Sequence, residues 1–134
     1  MNLFKKLNQL FQKKEKLPKN SYSDKPFDEI YADQGAFTYS ADGFKIAYGD
    51  FQQELKWTEI TEIDVYKSDL IVYDQVEMRI VCADNSFTIT EELPGWYQFI
   101  IKTKEVFPDI PKDWDLKIPF PPFETNYTVI YNRM

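Results

Sequence analysis

The chain has 134 residues, a length typical of one domain with a hydrophobic core, and its 17% aromatic content excludes a disordered or low-complexity protein. Its charge is divided unevenly: residues 1 to 19 carry six lysines against one glutamate, a net charge of +5, whereas residues 20 to 134 carry ten basic against twenty-one acidic residues, a net charge of −11. This division predicts two surfaces for different partners, and the acidic body disfavours binding to nucleic acid.

The residue types that most enzymes need are missing from the sequence. The chain has no histidine, which removes the usual general base and the commonest zinc ligand, and its four scattered glycines form no phosphate-binding loop. Cys82 is the only cysteine, so it forms no intramolecular disulfide, and its place among apolar residues predicts a buried, inert thiol. The carboxylates follow no metal-loop spacing and are interpreted as a solvated surface. We therefore predict a protein without catalytic activity, metal or cofactor.

The basic segment, residues 1 to 19, has the periodicity of an amphipathic helix that ends at Pro18. It has neither the continuous apolar region nor the cleavage site of an export signal, so an intracellular location is expected. We predict that this helix contacts anionic membranes through residues 1 to 17 and that the following side chains carry the contact: Phe4, Lys5, Lys6, Leu7, Leu10, Phe11, Lys13 and Lys14.

Two other interpretations of the basic helix remain open at this point. In the first, the helix packs on its own domain, and in the second it docks on a partner or on another copy of the chain. In the membrane interpretation each lysine would gain about 1 kcal/mol near an anionic surface. The polar residues 20 to 34 that follow are interpreted as a linker.

From residue 35 onward the apolar residues alternate, which predicts about seven short antiparallel strands. Asp42 and Gly43 offer the turn of a first hairpin, a short run at residues 70 to 73 adds a strand, and Asp84 and Asn85 offer a later turn. By the same alternation, three glutamates are expected to point away from the core and to bind a partner: Glu59, Glu62 and Glu77.

After the strands, residues 95 to 107 return to helical periodicity and predict a capping helix with Trp96 on its buried face. Residues 108 to 134 contain five prolines, so we expect an extended tail that packs on the domain, with an edge strand at Thr128 to Tyr131. Trp57 is assigned to the core, and Trp114, among the prolines, is predicted to be a partner contact.

This order of strands followed by one helix resembles that of the bacterial pleckstrin-homology-like (PH-like) domains. The segment from Leu55 to Ile60, an apolar residue followed by W-x-x-I at the start of a strand, is similar to one that recurs in that superfamily. The resemblance covers residues 35 to 107. It implies a mainly β (α+β) fold, an antiparallel barrel or strongly bent sheet, that binds lipids, peptides or proteins without catalysis. The first hairpin turn contains Asp42 and no lysine, unlike the phosphoinositide-binding members.

Two functional classes follow from the sequence. The first is an intracellular, acidic protein-binding module for a basic partner, such as an immunity-type inhibitor of a basic toxin. The second is a peripheral membrane scaffold that the basic helix anchors at the inner face of the membrane.

Overall fold

The computed structural model describes residues 26–69, 74–121 and 124–133. It confirms a mainly β, α+β fold. The elements in chain order are α1 (Phe27–Ala32), β1 (Phe37–Tyr39), β2 (Gly43–Tyr48), β3 (Phe51–Lys56), a 3₁₀ turn (Trp57–Glu59), β4 (Ile60–Asp69), β5 (Asp74–Cys82), β6 (Asn85–Thr90), α2 (Trp96–Val106), α3 (Trp114–Lys117) and β7 (Asn126–Asn132).

The strands form two antiparallel sheets. The first has three strands in the order β1-β2-β3, and the second has four in the order β6-β5-β4-β7. Within the described ranges no hydrogen-bonded pair of strands joins the two sheets, so the closed barrel that the sequence left possible is not formed. Alternation along a strand defines its faces but not the partner of an edge strand, and the sequence therefore did not decide this point.

Alternation predicted the core-facing side chains of the second sheet. On β5, Val76, Met78 and Ile80 are buried, and the last two lie opposite Val65 and Ile63 of β4. The first sheet contributes its own apolar side chains, among them Phe37, Phe44 and Ile46, to the same core.

Helix α2 covers this core. It begins after Gly95, whose φ of 95° lies in the left-handed region and whose missing side chain leaves room for the backbone of Gln34. Phe99 lies at the centre of the buried face of the helix. Its ring centroid is 4.5 Å from that of Phe37 and 5.0 Å from that of Phe44.

The predicted linker, residues 20 to 34, contains a short helix in its described part. Helix α1 buries none of its residues, and its six residues are too few for the repeated apolar spacing by which helices are recognised in a sequence. The signals that could have revealed it are Pro26 just before its first residue and the acidic residues Asp28 and Glu29 in its first turn.

The tail, residues 108 to 134, is not simply extended. It contains α3, and it adds β7 to the second sheet by pairing with β4. Lys67 of β4 holds the segment between these elements, because its buried ammonium group donates hydrogen bonds to the carbonyl oxygens of Pro119, at 2.8 Å, and Pro121. Asp74 forms an ion pair with the same ammonium at 3.4 Å.

Two predictions lie outside the described residues: the basic helix of residues 1 to 19, with all its membrane-contact residues, and the short strand of residues 70 to 73. Among the residues that are described, none of the helices has the length and apolar character needed to cross a membrane.

Candidate functional site

An acidic cleft of about 310 Å³ lies where the turn between β1 and β2 meets the end of β3 and the 3₁₀ turn. Its apolar lining residues are Leu55, which is half-buried, and Phe44, which is buried in the core. The polar residues that line it are Ser40, Asp42, Glu54, Lys56 and Glu59. Three carboxylates against one ammonium group give the cleft a local excess of negative charge.

A close backbone approach fixes one wall of the cleft. Gly43 packs so tightly against β3 that an added Cβ would overlap the carbonyl oxygen of Leu55, so only glycine fits at this position. The backbone N–H of Trp57 donates a hydrogen bond of 3.0 Å to the carbonyl oxygen of Asp42. The hairpin turn and the 3₁₀ turn are thereby joined, and their carboxylates stay on the same cleft.

Glu59 has a structural partner as well as an exposed position. Its carboxylate accepts a hydrogen bond of 2.8 Å from the backbone N–H of Lys56, the residue that precedes the 3₁₀ turn. This bond satisfies a donor that the short turn leaves unpaired. The second carboxylate oxygen of Glu59 is not used by this bond.

A second group of charges lies on the face of the four-stranded sheet that points away from the core. The Arg79 guanidinium donates to the fully buried carboxylate of Asp64, with an Nε to Oδ2 distance of 2.9 Å, and lies 3.3 Å from the Glu62 carboxylate. The hydrogen bond to Asp64 raises the pKa of Arg79. Hydrogen bonding with Asp64 and burial raise the pKa of the Glu62 carboxyl, although the nearby guanidinium opposes this effect.

The expectation that Glu77 is exposed is wrong. Its side chain lies on the outward face, as alternation predicted, but the residue is only 4% exposed. Tyr66 and Thr90 lie directly opposite on the neighbouring strands, and the Ser68 hydroxyl donates a hydrogen bond of 2.7 Å to the Glu77 carboxylate. Glu77 is therefore part of a packed polar layer and is not accessible to a partner.

Trp114 is also buried, with 4% of its surface exposed, because the short helix α3 turns it toward the core. It lines a cavity between α3 and β7 and does not project into solvent. The predicted partner residues are thus not brought together: Glu59 lines the cleft, Glu62 lies beside Arg79, and Glu77 and Trp114 are buried.

Sequence reasoning missed two members of the cleft, Asp42 and Glu54. Asp42 was assigned only as a turn residue, and Glu54 lies in the middle of β3. The register of β2 against β3, in which Gly43 lies opposite Lys56, brings Asp42 near Glu59, whereas Glu54 precedes Glu59 on the same stretch of chain. Only this pairing reveals the cleft, since the three acids are spread over 18 positions of the chain.

The described ranges contain no group of three or more histidine, cysteine or acidic side chains that could hold a metal ion. Comparison with protein-family models, with curated proteins and with solved structures gave no match. The function therefore has to be argued from the surface of this chain alone.

The polar layer around Glu77 should make the free energy of unfolding decrease at alkaline pH. Burial and the Glu77 carboxylate raise the pKa of Tyr66 from 10.0 to about 12. The neutral phenol is thus favoured in the folded state, and its contribution to stability is complete below pH 10 and is lost as the pH rises through about 12. We expect Tyr66→Phe to lose less free energy of unfolding over this interval than the unsubstituted chain, as measured by urea denaturation.

Tyr31→Phe is a suitable control, because Tyr31 is exposed. An equal loss of stability in Tyr66→Phe and in the unsubstituted chain would contradict the assigned environment of Tyr66.

Proposed function

We propose that the protein is a non-catalytic binding module whose acidic cleft receives a lysine or arginine side chain of a basic partner protein. The observation that carries this proposal is the convergence of Asp42, Glu54 and Glu59 on one cleft with an apolar floor. The net charge of −11 on residues 20 to 134 would attract such a partner before contact.

The shape of the cleft favours a long cationic side chain over a metal ion or a cofactor. A volume of about 310 Å³ is at the lower end of the range for small-molecule sites. The half-buried side chain of Leu55 matches the aliphatic stem of lysine or arginine, and the carboxylates match the charged head. Glu59 contributes the oxygen that Lys56 does not occupy.

An intracellular immunity-type inhibitor of a basic toxin is the biological role that fits this chemistry best. The role requires fast capture of a cationic surface and no catalytic group. We also propose that the fold is a distant, unclosed variant of the PH-like domain. The early antiparallel strands, the W-x-x-I turn at Trp57 and the late helix α2 support this relationship, whereas β7 follows the helix and extends the pattern.

The proposal predicts a local effect of charge on association. The variant Glu54→Lys with Glu59→Gln removes the negative charge of the cleft while the glutamine oxygen can still accept the Lys56 N–H bond. We expect it to associate with the basic partner roughly tenfold more slowly at low salt, with little change in dissociation. The measurement is stopped-flow or surface-plasmon kinetics with the basic products of neighbouring genes, at several salt concentrations.

The matched control is Asp28→Lys with Glu29→Gln, which changes the net charge equally on the exposed surface of α1. The cleft contacts the partner only if the cleft variant slows association more than the control variant on α1 does. Equal slowing by both variants would show that overall charge alone steers the partner, and no effect of salt or of either variant would contradict the proposal.

A second function, a peripheral membrane scaffold, is favoured by an exposed aromatic cluster. Phe27 and Tyr31 of α1 are 60% and 42% exposed, and their ring centroids lie 5.5 Å and 5.9 Å from that of Tyr97 on α2. Exposed aromatic rings are favoured at the headgroup level of a bilayer. Phe27 stands eight positions after the basic segment of residues 1 to 19, so a membrane that binds this segment would lie close to α1 along the chain.

This function predicts that the full chain sediments with vesicles containing anionic lipid and that Phe27→Ser with Tyr31→Ser weakens this binding several-fold, since it removes apolar area from the contact. Leu116→Ser, an exposed apolar residue of α3, is the control. Sedimentation that is equal for all three proteins, or that is absent at low salt, would contradict membrane binding through this surface.

A further inference from the structure

The edge of the second sheet at β7 is open and uncharged. Within the described part of the chain, β7 pairs with β4 on one side and with no strand on the other. None of its seven residues is charged or a proline, although the body of the protein is strongly acidic. Sheet edges in soluble proteins are normally protected by charges, prolines or bulges, so an unprotected edge is a site at which another strand can pair.

One half of β7 does have such protection. The register against β4 shifts after Val129, where Ile130 is the extra residue, and a bulge of this kind twists the strand away from regular pairing. The open part is therefore Asn126–Val129, in which Tyr127, Thr128 and Val129 are exposed.

A cavity of about 230 Å³ adjoins this open half. It lies between β7 and α3, and Asn126 and Thr128 line it from the strand. Thr128 lies opposite Val65 and Asn126 opposite Lys67, so both belong to the face of the sheet that α3 partly covers. The other lining residues are Val65, Pro111, Asp113, Trp114, Lys117 and Ile118.

The size and chemistry of the cavity suit one apolar side chain. Its volume is below the range of pockets that hold small-molecule ligands. Val65, Trp114 and Ile118 give it an apolar wall. In the described residues the buried indole Nε1–H of Trp114 has no hydrogen-bond acceptor, which is uncommon for a buried donor. An apolar side chain cannot accept this bond, so the acceptor would have to be a backbone carbonyl of the added segment.

We propose that an extended segment of the partner protein pairs with Asn126–Val129 as an added strand and inserts one apolar side chain into the cavity beside Trp114. In this arrangement the backbone bonds supply affinity and the cavity selects the side chain. A residue opposite Thr128 would have its Cβ about 5 Å from that of Thr128, on the cavity side of the sheet. This inference rests on the proposed protein-binding function and names a second contact of the same partner.

A partner strand is favoured over a second copy of this chain by charge. Pairing of two β7 strands would bring together two chains that each carry a net charge of −6, and of −11 over residues 20 to 134, whereas a basic partner would be attracted to the same edge. The neutral strand itself imposes no charge requirement on the segment that pairs with it.

The test uses the full chain and a synthetic nine-residue peptide, acetylated and amidated, with lysine at both ends, threonine elsewhere and leucine in the centre. In two-dimensional NMR spectra we expect the peptide to shift the amide signals of Asn126–Val129 and the indole signal of Trp114. The same peptide with a central glycine should bind at least roughly tenfold more weakly, because it leaves the cavity empty.

Thr128→Phe should fill the mouth of the cavity and remove the preference for leucine, whereas Thr38→Phe, at an exposed threonine of the edge strand β1, should retain it. Melting temperatures check that both variants are folded. The inference is overturned if the peptide does not bind at about millimolar concentration, if leucine and glycine bind equally, or if the shifts lie elsewhere.

Signals of β7 that change with protein concentration in the absence of peptide would also overturn it, since the occupant would then be a second copy. The peptide test does not depend on the acidic cleft. If the peptide does not bind at β7 but the cleft variants still slow association with a basic partner, only the inference about β7 is wrong. If the peptide binds at β7 but the cleft variants do not slow association, only the proposal about the cleft is wrong.

Discussion

The packing of Phe99 against three aromatic rings is the interaction on which the rest of this structure depends. Its ring meets Phe37 and Phe44 of the first sheet and stacks at 6.1 Å on Trp57 of the 3₁₀ turn, between the two sheets. This buried aromatic area holds α2 on the first sheet, and the rings of Phe51 on β3 and Phe87 on β6, whose centroids are 6.0 Å apart, join that sheet to the second. The same contacts shape the acidic cleft, because Phe44 forms part of its floor and Trp57 begins the turn that carries Glu59.

The two surfaces proposed here have opposite character, and each is built on a fixed part of the fold. The cleft is acidic and is held by Gly43 and by the Trp57 to Asp42 hydrogen bond. The open half of β7 is neutral, and Lys67 holds the proline-rich segment beside it through two carbonyl oxygens. A buried ammonium group must be hydrogen-bonded, so this segment cannot leave the sheet without a large cost in desolvated charge.

Alternation and helical period predicted the elements that have a clear apolar side, such as Val76, Met78 and Ile80 of β5 and the buried face of α2 at Trp96. They failed where burial depends on neighbours that are distant in the sequence. Glu77 lies on the outward face as expected, yet its burial requires Tyr66 and Thr90 on two other strands. Helix α1 was missed because its six residues give too short a stretch of helical periodicity to be recognised.

The candidate site was harder to predict than the fold for the same reason. Glu59 was selected from the sequence, but Asp42 joins it only through the register of β2 against β3. Trp114 was assigned to the surface because prolines surround it, yet it is buried. An amphipathic pattern shows the face of a helix or strand on which a side chain lies. It does not show which other elements of the fold pack against that face.

The aromatic cluster around Phe99 keeps the acidic cleft in its binding shape before a partner arrives. Native-state amide hydrogen exchange of the full chain tests this most directly. We expect the Trp57 amide, which joins the 3₁₀ turn to Asp42, to open with the same free energy as the amide of Ile80 in the central strand β5, and Phe99→Leu to lower both free energies together. A Trp57 amide that exchanges as fast as an open loop while Ile80 stays protected would contradict it.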